Sequence, residues 1–216
     1  MQRTLRSRGH ARAAIALALS LAALASPATA YDRLPRALAA MSPSDFAERV
    51  RVTEDPSTRV FSTSEAHRRG RSIAGAYADD VHLRALVDRR TGRVTWQVWH
   101  DLAYVGARKA VWAVSYASAG ETRRSQPIHL DHWPDRCPPT DGVGMCNEAM
   151  RVAFELPEQT VREIAAAYRP GARTPWTLHF QDENGRDVTG GLAPAEAAGL
   201  LQAVDARRAQ LDRSHN

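Results

Sequence analysis

The sequence predicts an α+β domain: an antiparallel β-meander of about five or six strands, two helices in the C-terminal half packed on one face, and a short N-terminal helix. Three observations carry this. From Val81 to Tyr116 apolar residues recur mostly at every second position, the period of half-buried strands. After Pro157 and again after Pro194 the period lengthens to that of a helix with one apolar stripe. Turn-forming residues separate the strands, and strands followed by helices suit a sheet covered on one side.

The elements follow in order. Ser42-Pro43-Ser44-Asp45 places a capping hydroxyl before an N1 proline, and Phe46, Ala47 and Val50 form the stripe of the short N-terminal helix. Thr58–Ser62 reads as a strand within a polar stretch. Val81, Leu83, Ala85 and Val87 alternate with His82, Arg84 and Asp88, and Asp88–Arg93 forms a turn. Val94, Trp96, Val98, His100, Leu102 and Tyr104 then share a face, completing a hairpin. A third strand carries Ala110, Trp112, Val114 and Tyr116 on one face, and Gly120 marks the next turn. Met150, Val152 and Phe154 give a further strand. Val161, Ile164, Ala165 and Tyr168 line one helix, ended by Pro170-Gly171. Trp176, Leu178 and Phe180 return to strand alternation, with Asn184-Gly185 as a turn. In the final helix Ala197, Leu200, Leu201 and Val204 form the buried stripe, with Glu196 in the first turn, where the dipole favours an acid. The tryptophans at 96, 99, 112, 133 and 176 place the main core in the second half.

Residues 1–30 read as a signal peptide, with residues 31–216 as one α+β domain. Arg3, Arg6, Arg8 and Arg12 precede an apolar run from Ala13 to Ala25, and Ala28-Thr29-Ala30 supplies a cleavage site. The run is short of the roughly 20 residues a membrane span needs. The expectation is a periplasmic or secreted protein cleaved near Ala30, not an integral membrane protein. Of the 29 basic residues four lie in this leader, leaving 25 against 24 acidic ones. That balance gives no drive towards nucleic acid, and none is expected as a partner. Cys137 and Cys146 are then expected to form a disulfide, stabilising by about 2–3 kcal/mol.

Several groups can carry chemistry. His100-Asp101 can be read as a buried base with a carboxylate beside it, or as a core histidine next to a surface acid. His129, Asp131 and His132, close to the two cysteines, offer zinc-ligand types. Their spacing matches no common zinc pattern, and oxidised cysteines cannot ligate. His82 and His179 fall on polar strand faces and read as solvated, and Asp79-Asp80 and Glu54-Asp55 as turn acids. There is no Gly-x-Ser-x-Gly elbow for a serine nucleophile, and no cofactor is expected. Arg89, Arg90 and Arg93 can form a basic edge for an anionic partner, as can Arg68-Arg69-Arg71 and Arg123-Arg124. Trp99 faces away from Trp96, so it stands exposed or under a covering element, a candidate ligand contact.

The run Asp88-Arg89-Arg90-Thr91-Gly92, the Trp96-Gln97-Val98 segment and the stretch from Gly191 to Asp205 resemble a group of exported bacterial, periplasmic proteins that carry no assigned activity. The resemblance covers the last two-thirds of the mature chain. It implies compartment and fold and transfers no catalytic residue. Two functions follow as expectations. The first is a non-catalytic binding module that meets an envelope protein or an anionic envelope component. The second is a small hydrolase-like periplasmic enzyme using His100 with Asp101 or the His129–His132 region.

Overall fold

The structure is a computed structural model that describes residues 33–67, 76–105, 110–136, 147–182 and 187–215. The leader, both cysteines, the arginines at 68, 69 and 71, and the Asn184-Gly185 turn lie outside the described residues. The described chain runs α1 (Arg36–Ala39), α2 (Pro43–Arg49), β1 (Arg51–Glu54), β2 (Thr58–Ser62), β3 (Ala76–Asp88), β4 (Val94–Val105), β5 (Val111–Ser118) and β6 (Glu121–Ser125). It continues through β7 (His129–Arg136), β8 (Asn147–Leu156), α3 (Glu158–Ala166), β9 (Trp176–Asp182), β10 (Asp187–Leu192) and α4 (Pro194–His215).

The α+β class is as expected, but the strands are arranged differently. Ten strands are described, and they form two antiparallel sheets in place of one meander. The larger has the order β1-β2-β3-β4-β8-β7, the smaller β10-β9-β5-β6. β5, the expected third strand of the meander, pairs with β6 and β9, while β8 takes the edge of β4. Alternation specifies which side chains are buried; it does not say which strand lies alongside.

The inner faces of both sheets and two helices share one core. Val81, Leu83, Val98, Val152 and Phe154 of the larger sheet meet Val114, Leu178 and Phe180 of the smaller. Val161 and Ile164 of α3 and Ala197, Leu200 and Val204 of α4 complete it. The helices thus cover the same side of the larger sheet, as the sequence predicts. Gly190 lets β10 approach β3: a Cβ there would stand 2.9 Å from Leu178 Cδ1 and 3.0 Å from Val81 Cγ2.

A second cluster joins residues 34–46 to the start of α4. Leu34, Leu38, Met41 and Phe46 pack with Ala193 and Ala195 at the start of α4. Ser42 caps α2 as expected, its hydroxyl accepting from Asp45 N at 3.2 Å while the Asp45 carboxylate accepts from Ser42 N at 2.8 Å. Leu34 N donates to Arg173 O, and Arg173 Nε donates to Leu34 O. Glu196 is buried, and Thr63 Oγ1 donates to its Oε1 at 2.6 Å.

Two burial expectations need correction. Trp112 is 52% exposed, although its neighbours Val111, Ala113 and Val114 are buried. A bulge between Val111 and Ala113 shifts the register against β9 and breaks the alternation. Nor do the tryptophans mark the core as a set. Among them Trp96 is buried, Trp99 and Trp176 are half-buried, and Trp112 and Trp133 are exposed. Among the described residues no helix is long and apolar enough to cross a membrane.

Candidate binding face

The strand period sends every second residue of the larger sheet away from the core. On β3 these are Asp80, His82 and Arg84; on β4, Gln97, Trp99 and Asp101. On β8 they are Arg151 and Ala153, and on β7 His129, Asp131 and Trp133. Register aligns them into rows across the strands. One row runs His82, Trp99, Ala153, His129; the next runs Asp80, Asp101, Arg151, Asp131.

Trp99 occupies the middle of this face. Its ring stacks on His82 with centroids 6.5 Å apart and meets His129 at 4.9 Å. The small side chain of Ala153, between Trp99 and His129 in the row, leaves room for that contact. The Arg84 guanidinium lies 3.9 Å above the indole centroid, and Arg151 approaches to 5.9 Å. Trp99 Nε1 donates to Gln97 Oε1 at 2.9 Å. Trp133, 40% exposed, stands on the other side of Arg151 at 6.0 Å.

Charge is paired both across and along the strands. Arg151 forms a two-pronged bond with Asp101, Nε to Oδ1 at 2.6 Å and Nη2 to Oδ2 at 2.9 Å. That bond raises the Arg151 pKa, against the opposing effect of burial. Arg84 is shifted the other way, first by burial and then by the nearby Arg151 charge. His129 Nε2 lies 2.9 Å from Asp131 Oδ2.

The structure separates some residues that the sequence suggested as partners. His100 is wholly buried on the inner face, its ring 4.8 Å from Phe180, while Asp101 faces outward to Arg151. Adjacent strand residues point to opposite faces, so these two form no acid–base dyad. His129 and Asp131 converge, but His132 lies on the other face of β7. Arg89, Arg90 and Arg93 are exposed at the β3–β4 turn, where Asp88 Oδ1 accepts from the Arg90 and Thr91 amides. Arg89 Nη1 also donates to Asp55 O at 3.0 Å, so it helps fasten that turn to the β1–β2 turn.

Other residues of the face depart from what the sequence leads one to expect. His82, expected to be solvated, is 1% exposed. Asp80, expected in a turn, belongs to β3 and sits opposite Asp101. Ligand atoms of Asp80, His82 and Asp101 lie within 4.8 Å of one another. Their spacing was present in the sequence: once the turn fixes Val87 opposite Val94, counting back along both strands brings residue 80 opposite 101. Arg84 and Arg151 carried no comparable signal, because each acquires its role from a partner on another strand. No family model, no curated protein and no solved structure matches the chain.

Proposed function

We propose that this chain is an exported envelope protein, periplasmic or secreted after cleavage near Ala30, that acts as a non-catalytic binding module through the outer face of its larger sheet. The observation that carries the binding role is Trp99, half-buried between two imidazoles and beneath a guanidinium. Trp133 beside Arg151 extends the face with a second aromatic surface. Flat rings with fixed polar groups around them suit a partner that offers both an apolar surface and hydrogen-bonding groups. Export rests on the leader read in residues 1–30.

The test is an amide and indole NMR titration of the mature chain with soluble peptidoglycan fragments, an envelope protein extract and anionic-lipid vesicles. The Trp99 and Trp133 indole signals should shift together while the Trp112 signal stays put. Shifts confined to Trp112, or to the arginines at 89, 90 and 93, would refute this face. N-terminal sequencing of the exported product should begin at Tyr31; a product retaining Met1 would refute export.

A further inference from the structure

We infer that Asp80, His82 and Asp101 form a binding site for a first-row divalent cation, zinc or manganese. The assignment is independent of the binding-face reading, since it needs neither Trp99 nor a partner.

Two acids directly opposite on neighbouring strands repel, and Asp80 and Asp101 are such a pair. Arg151 holds Asp101 by both of its carboxylate oxygens. An acidic pair would not be enough to define a site. The second observation is His82, whose ring is 1% exposed and whose nitrogens both lack a hydrogen-bond partner. Buried polar atoms are nearly always satisfied, and an orphaned imidazole on a polar face calls for a ligand. Its Nδ1 stands 3.5 Å from Asp80 Oδ2 without forming a hydrogen bond. Ligands about 2.1 Å from a tetrahedral ion stand about 3.4 Å from each other. Modest side-chain rotations therefore close the present 4.8 Å limit onto an ion.

The surroundings fit that role. One imidazole and two carboxylates suit zinc or manganese better than a soft ion that prefers thiolates. Each carboxylate oxygen has two lone pairs, so Asp101 can keep Arg151 and still bind a cation. Arg151 then serves as the outer hydrogen-bond partner that orients a ligating carboxylate. The carboxylates of Asp80 and Asp101 are 26% and 31% exposed, which gives an ion a route in. Arg84 shares the face, but its guanidinium is held over Trp99.

The experiment is a calorimetric titration of the chelator-treated, untagged mature chain with zinc chloride and manganese chloride. One ion should bind per chain. Asp80→Asn and His82→Asn should each weaken binding at least tenfold, and His179→Asn, on the smaller sheet, should leave it unchanged. A second measurement needs no variant: substoichiometric Mn2+ should broaden amide signals around 80–82 and 101 first and spare the β5–β6 hairpin. Absence of saturable binding by either ion would overturn the site. So would full affinity in both variants, or broadening centred on residues 129–131 or 137–146.

Discussion

At position 199, on α4, the packing admits nothing larger than hydrogen. A Cβ there would stand 2.5 Å from both Phe46 Cβ and Pro43 O, on the facing helix α2. In an open helix Gly→Ala stabilises by about 1 kcal/mol. Here overpacking reverses the sign, and Gly199→Ala should destabilise by about 1–3 kcal/mol in urea unfolding. Nothing in the Ala-rich context of Gly199 discloses that role, because its cause lies in a helix some 150 residues earlier. His100 and Asp101 are a contrary case. Their separation onto opposite faces follows from strand period alone, whereas the burial of His82 does not, since period assigns a face and leaves its covering open. Trp112 shows a further limit: a one-residue bulge breaks an alternation that reads smoothly in the sequence.

The hairpins show how far local chemistry specifies an element. The β3–β4 turn is legible because Asp88 and Thr91 are turn formers and Gly92 takes a φ of +69°. At the β5–β6 turn Ala119 and Gly120 adopt φ of +52° and +78°, the twist that joins two strands through two residues. Ala119 has no glycine's freedom there, and the turn takes support from α3. Glu163 Oε2 accepts from Ser118 Oγ at 2.8 Å and from Ala119 N at 3.0 Å. Glu163→Ala should therefore loosen this turn first, with hydrogen exchange at the Ala119 amide rising well before exchange in the β3–β4 hairpin. Equal protection in both proteins would contradict that support. The division into two sheets was not legible for a related reason. β5 and β4 have similar apolar patterns, and an apolar pattern names a buried face without naming the strand alongside, here β6 and β9 for β5.

Over the whole molecule, several carboxylates act together. Asp45, Asp55, Asp88, Glu158 and Glu163 all have pKa values below the ordinary range, held there chiefly by hydrogen bonds. The principal donors are the Ser42 amide, the Ser57 hydroxyl, the Thr91 amide, the Arg162 guanidinium and the Ser118 hydroxyl respectively. The folded state thus prefers their ionised forms, and the unfolded chain takes up protons first as pH falls through about 4. Their contribution is complete above about pH 5 and is lost as pH drops towards the lower native values. Urea midpoints should accordingly fall between about pH 5 and pH 3, and a constant midpoint over that range would contradict the assignment. The clasp between the two ends of the described chain has a kinetic consequence. α2 rests on α4, Leu34 bonds to Arg173, and Thr63 bonds to Glu196, so the first described segments find their partners more than 100 residues later. Residues 34–49 therefore gain these contacts only once the chain through α4 is present to receive them, and only then can the ring of contacts close.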